Sequence, residues 1–362
     1  MRSLTHAKTR LISLTCLSLA LATTQIRAQE PAAKPSAQTP DPARAKAEAD
    51  ARTAVEVIAR AIKTVNGYTS IEAQVKETVV MGTRRLTATG RLVQGTDNQL
   101  RLEMAVGDIE QLAKAGEAVK LDPAARAAAE KKKAEAAAKA TPEDTGDKTP
   151  AANAKKNAVI HVCDGSVLWT QWTTNGKSRV DRRNIQEILK EFDSSKVSPD
   201  QLMAGLGIGG IPSLLKSMQD RMVFNSTAEK QIDGKPFVVV QGRWSDEQAR
   251  RMVTQRGQLP SYVPEFVRVF FEKKTMFPRR IVFLKKHPAP TVMTAKPMVT
   301  LDFTNVVLNG DVDAAQFRFA VPATMAQDDL TEQIIKRLKQ HETTVQQQQP
   351  RGPVANPGGA GQ

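Results

Sequence analysis

Residues 159 to 172 read VIHVCDGSVLWTQW, and the choice between a catalytic centre and a hairpin here decides the fold. A His, a Cys, an Asp and a Ser fall within residues 161 to 166, the residue types from which nucleophilic sites are built. Yet Val159, Ile160 and Val162 lead into Asp164-Gly165 and VLWTQW leads away, the pattern of a strand, a tight turn and a second strand. His161 and Cys163 share a face, with no third group evident to orient the imidazole. Asp164-Gly165-Ser166 also lacks the G-x-S-x-G elbow. The stretch is therefore read as a hairpin.

Strands continue on both sides of it. Leu100, Leu102, Met104 and Val106 alternate with Gln99, Arg101, Glu103 and Ala105, giving one apolar and one polar face. Leu86, Ala88 and Leu92 repeat the pattern, as do Ile71, Ala73, Val75 and Val79, and later Val299, Leu301 and Phe303. PEFVRVFFEKK and FPRRIVFLKK, which carry Phe271 and Phe283, form two strands about a turn near Met276 to Pro278; PFVVVQGRW follows a turn at Asp233-Gly234. Short connections make successive strands antiparallel. About nine to eleven strands are expected, enough for the sheet to curl.

Helices interrupt this meander. Ala51 to Val65 places Val55, Ile58, Ala59 and Ile62 on one face, and Asn184 to Phe192 places Ile185, Ile188, Leu189 and Phe192 at helical spacing. VSPDQLMAGLGIGGIPSLLKSM, residues 197 to 218, holds two short helices around an apolar glycine loop, with Leu206, Ile208, Leu214 and Leu215 as its apolar residues. A curled sheet with one apolar face needs a cover, and these helices are the available material.

The remaining segments divide by composition. Residues 1 to 28 carry basic residues ahead of an apolar run from Leu11 to Ala22, the layout of a cleaved secretory signal, with a run too short to span a membrane. Residues 29 to 50 read as a Pro/Ala-rich linker, about 108 to 158 as a low-complexity Ala/Lys insertion, 326 to 345 as a C-terminal helix and 346 to 362 as a disordered tail. Loss of the signal's four basic residues lowers the net charge from +14 to +10 and leaves Cys163 as the single cysteine, so no internal disulfide forms. Three scattered His and one Cys show no metal-ligand spacing, and LGIGG follows no strand as a phosphate loop would. No metal, cofactor, nucleic-acid partner or enzymatic activity is expected. A basic exported protein is instead attracted to acidic surfaces such as anionic lipid headgroups.

Two motifs go further. Asp164-Gly165 followed by Leu168-Trp169 resembles the D-G-x-x-L-W turn of periplasmic outer-membrane lipoprotein carriers (LolA-like), and NGDVDAAQFRFAVP, residues 309 to 322, resembles their closing V-D-A-A-x-F-x-F segment. The order of elements over about residues 51 to 325 is similar as well. The resemblance implies an α+β fold, an open and strongly curled antiparallel half-barrel around one long helix, with a lid of short helices over an apolar cavity. It implies a soluble periplasmic monomer that carries lipoprotein acyl chains or lipid without covalent chemistry, between membrane-bound donor and acceptor proteins. The concave lining would be Leu86, Leu92, Leu100, Leu102, Met104, Val106, Trp169, Phe271 and Phe283, and the lid Ile185, Ile188, Leu189, Leu206, Ile208, Leu214 and Leu215. One departure stands out. Family carriers commonly hold the lid through the Arg of an Arg-Pro turn, and here that turn is Gly95-Thr96-Asp97-Asn98. The alternative is an envelope sensor or interaction module built on the same fold with a plugged interior.

Overall fold

The computed structural model describes residues 42–107, 110–111, 157–191, 202–203, 206–254, 257–286, 295–323 and 325–347. The signal, most of the linker, of the insertion and of the tail, and Phe192 lie outside them. A helix, α1 (Pro42–Asn66), is followed by β1 (Ile71–Met81), β2 (Arg84–Gln94), β3 (Gln99–Val106) and a two-residue β4 (Glu110–Gln111). Beyond the insertion come β5 (Asn157–Asp164), β6 (Val167–Thr174), β7 (Lys177–Asn184), α2 (Ile185–Lys190) and α3 (Gly210–Arg221). Then follow β8 (Met222–Ile232), β9 (Lys235–Trp244), α4 (Asp246–Met252), β10 (Phe266–Glu272), β11 (Pro278–Lys286), β12 (Ala295–Leu308), β13 (Gln327–Asp329) and α5 (Thr331–Gln347).

Among the described residues all thirteen strands join one sheet in the order β13-β7-β6-β5-β3-β2-β1-β12-β11-β10-β9-β8, with β4 beside β2. Every pairing is antiparallel except β13 with β7. The count exceeds the expected nine to eleven through β4 and β13, which at two and three residues are too short to leave a periodic pattern. The path has two ends, so the sheet is open. Because Leu100, Cys163 and Leu168 on one arm and Val240, Val269 and Ile281 on the other enter a single core with α1, the sheet curls around its apolar face.

Turn chemistry fixes the register. Asp164 accepts from the backbone N–H groups of Ser166 and Val167, both at 2.8 Å, and Gly165 takes φ 101°, so the opening stretch is a hairpin. Asn175-Gly176 and Asp233-Gly234 both hold positive φ, as two-residue hairpin turns require.

The long helix differs from the sequence reading in two respects. It begins at Pro42, inside the expected linker, because a proline suits the first helical turn and the Ala, Lys and Glu that follow favour helix. Its buried stripe is Ala54, Val57, Ile58, Ala61 and Val65, while Val55 is 49% exposed and Ala59 lies on the solvent side. The small alanines on the inner stripe let the helix lie close against its neighbours, and the larger Val55 is left outside.

Candidate functional site

Strand register sorts every proposed lining residue to a face. Ile71, Ala73, Val75, Glu77 and Val79 of β1 share a face with Leu86, Ala88 and Leu92 of β2, and through them with Leu100, Leu102, Met104 and Val106 of β3. On β5 and β6 the row continues through Val159, His161 and Cys163 to Leu168, Thr170 and Trp172. In the other direction it passes through Phe303, Leu301 and Val299 to Ile281, Phe283 and Phe271. This is the concave face, and Leu92, Leu100, Leu102, Met104, Phe271 and Phe283 are all buried on it.

Trp169 is not on it. Cys163 opposes Leu168, so Trp169 pairs with Val162 and faces the convex side, where it stacks on Phe319 and meets the Arg182 guanidinium. The error arose because VLWTQW is apolar on both faces: the convex face here is covered by Phe317 and Phe319 of the closing segment, so alternation does not mark inside from outside. Of the two tryptophans of β6, Trp172 is the one on the concave side.

The concave face has two dissimilar ends. Near Leu100, Cys163 and Leu168 it is closed over. Ile185, Ile188, Ile208, Leu214 and Leu215 are buried in the same core, with Leu189 and Leu206 packed against it. Asn184 caps α2 by accepting from Glu187 N–H. The start of α3 is fastened to the sheet by the Gln94 amide oxygen, which accepts from Ile211 N–H at 3.1 Å. Gln94 is the last residue of β2, immediately before the turn that lacks Arg, so a neutral side chain makes the lid contact here. Gly209 and Gly210 both hold left-handed backbone, and a Cβ on Gly210 would fall 2.0 Å from that same oxygen. At the opposite end, where β3 leaves for the insertion, Leu86, Val106, Trp172 and Val299 are only half-buried.

Two departures from an apolar wall stand out. On the β5 to β7 arm, Arg183 Nη1 donates to Thr170 Oγ1 at 3.0 Å, and His161 Nδ1 lies 3.0 Å from the same hydroxyl. Trp172 Nε1 donates to Asp181 Oδ2 at 3.1 Å, and Arg183 lies 3.8 Å from that carboxylate. Burial, assisted by Arg183, pushes the His161 pKa down to about 4, so the ring is neutral and its Nδ1 can accept the Thr170 hydroxyl proton. Sequence reasoning passed over Thr170, Asp181 and Arg183 because charge on the inner face inverts the expected pattern. The Asn175-Gly176 turn was the available signal. The second departure is Glu77, at 5% exposure on β1.

The arrangement offers little to nucleophilic chemistry. Burial pushes the Cys163 thiol up to about 11, far from the thiolate a nucleophile requires. His161 is oriented by a hydroxyl and an aromatic edge, with the Trp172 ring centroid 5.8 Å away. Among the described residues no group of His, Cys, Asp and Glu could hold a metal ion, and no helix is long and apolar enough to cross a membrane.

The architecture, an open curled antiparallel sheet around one long helix with short covering helices, agrees with what the sequence resemblance implies. No family model matches the chain, and no curated protein matches it. Among solved structures it is similar to the lipoprotein LppX of Mycobacterium tuberculosis, at 9% identity over 73% of this chain and 98% of that one with a TM-score of 0.34. A DUF1329 family protein from Desulfovibrio piger gives 10% identity over 74% and 97%, TM-score 0.30. A LolA superfamily protein from Nitrosomonas europaea gives 8% over 74% and 97%, TM-score 0.25.

Proposed function

We propose that this chain is an exported periplasmic binding protein that holds the acyl chain of a lipoprotein or lipid against the concave face of its sheet, without covalent chemistry. The observation that carries the reading is the aliphatic wall formed by Leu92, Leu100, Leu102 and Met104, continuous with Phe271 and Phe283 and covered by helices, of which α3 is fastened to the sheet at its start by the Gln94 side chain. An apolar wall under a detachable cover suits acyl chains, each buried methylene contributing about 0.8 kcal/mol. Membrane-bound donor and acceptor proteins would then pass the cargo on.

A second reading is favoured by a specific observation. Leu100 and Leu102 are already 3% and 6% exposed beneath the protein's own helices, as in a filled core. On that reading the domain is an envelope sensor or interaction module with a plugged interior. Native mass spectrometry of the mature chain purified from its own envelope separates the two. A carrier retains an amphiphile, whereas ligand-free protein that also refuses a fluorescent acyl probe is the plugged module.

A further inference from the structure

Glu77 sits on the inner face of β1, which is otherwise apolar. Register places it between Leu301 of β12 and Ala88 of β2, with Val75 and Val79 on either side along β1. The next residues outward in the same row are Ile281 of β11 and Val106 of β3. No hydrogen bond or ion pair reaches its carboxyl among the described residues, and burial alone pushes its pKa up to about 7. Among the described residues the side chain therefore makes no bond, and a carboxyl placed in an apolar wall without a partner costs stability. Beside Glu77 the strands paired with β1 present apolar residues, Leu86, Ala88 and Gly90 of β2 and Val299, Leu301 and Phe303 of β12; the cation on this face of β2, Arg84, is exposed and lies beyond Leu86 at the start of the strand, four residues from the Ala88 that pairs with Glu77. Further across the face lie His161 on β5, which stays neutral and is separated from β1 by two strands, and Asp181, Arg179 and Arg183 on β7, separated from it by four. Beside Glu77 the wall is half-open at Leu86, Val106 and Val299, with Trp172 beyond.

We propose that Glu77 is the polar anchor of an amphiphile whose chain lies against Leu86, Val106, Trp172 and Val299, and that the anchored head is a protonated amine. An ammonium supplies both the missing hydrogen-bond donors and the missing counter-charge, which in a low-dielectric wall reinforce each other. A hydroxyl supplies a donor without charge, and a fatty-acid carboxylate supplies neither. Ethanolamine headgroups and the free α-amine of a lipidated chain terminus share this chemistry. The inference rests on the acyl-binding reading above and specifies its ligand class.

The test is displacement of a fluorescent acyl probe from the full mature chain by dodecylamine, dodecanol and dodecanoate at pH 8. Dodecylamine is expected to bind about tenfold tighter than dodecanol, and dodecanoate weakest, with the amine preference falling to within about twofold in Glu77→Gln. Affinity for the amine rises from pH 6 to pH 8 in the wild type as the carboxyl ionises, and stays flat in the variant. Dodecanoate binding as tightly as dodecylamine, or a folded Glu77→Gln that keeps the preference, overturns the anchor. Should the variant fail to fold, the wild-type head-group order and pH dependence decide alone. If all three chains bind equally, only the anchor falls; if none binds, the carrier reading falls and the anchor with it. Lysophosphatidylethanolamine against its choline analogue, and a lipopeptide with a free against an acetylated terminus, then distinguish the two sources.

Discussion

The two arms of the sheet present the same face to the same core with opposite chemistry. From β9 to β12 the inward residues include Val238, Val240, Val267, Val269, Phe271, Ile281, Phe283, Leu301 and Phe303, all buried, with Val299 half-buried at the end of the row. From β5 to β7 they include His161, Thr170, Trp172, Asp181 and Arg183, joined by hydrogen bonds. The first arm is held by transfer of apolar area from water, a force without direction. The second is held by directed bonds whose loss leaves buried polar groups unpaired. One arm can therefore tolerate a change of shape that keeps its volume, whereas the other should tolerate almost no change of chemistry.

That contrast can be broken in graded steps. Phe271→Ala, at 0% exposure, should cost about 3–5 kcal/mol in denaturant unfolding, while Phe271→Leu costs far less. Acid reaches the other arm by a different route. The folded pKa of His161 is depressed from 6.5 to about 4, so its contribution is complete above pH 6.5 and is lost as the pH falls toward 4. At about 1.4 kcal/mol per unit this amounts to about 3 kcal/mol. Glu77 has the opposite sign: its raised pKa gives a contribution that is complete below about 4.5 and lost as the pH rises through 7. Melting temperatures should thus show His161→Asn flattening the acid slope and Glu77→Gln flattening the neutral one; the same slopes in both variants would contradict the assignment.

Asp181→Ala should cost about 1–3 kcal/mol by leaving Trp172 Nε1 without its acceptor and Arg183 without its counter-charge. Asp181→Asn, which keeps an acceptor, should recover part of that, and a full recovery would mean that charge is unimportant to this arm. The smallest effect is expected on the convex face. Arg101 donates to the Gln316 carbonyl at 3.0 Å and to Glu103, so Arg101→Glu should cost about 1 kcal/mol and loosen the closing segment, measurable as faster amide exchange around Phe317.

Legibility in the sequence followed the same division. Strand β3 was readable because Leu100, Leu102 and Met104 obey a period of two against Arg101 and Glu103. Strand β7 was not, since Arg179, Asp181 and Arg183 occupy its inner positions and Val180 its outer one. The seven residues expected in a lid are apolar and lie on or beside short helices, and all seven pack in or against the core. Trp169 was misplaced because the segment that covers it, residues 314 to 319, is remote in sequence. Gln94 was missed because a lone glutamine at a strand end carries no pattern; its role depends on Ile211 arriving opposite it.

One pairing in the middle of the sheet governs how the chain can assemble. Strand β1 has β12 as a neighbour, joining Ile71 to Leu308. Pairings so distant in sequence close slowly, because the entropy of the intervening loop must be overcome before the contact stabilises anything. A polypeptide crossing a membrane from its N-terminus would expose β1 as a bare edge until residue 301 and its neighbours emerged. Glu72, Lys76 and Glu77 along that edge are the kind of charges that discourage a stray strand from adding to it. While the chain is incomplete, then, the acid on β1 that burdens the finished core would help keep the unfinished sheet from pairing with the wrong chain.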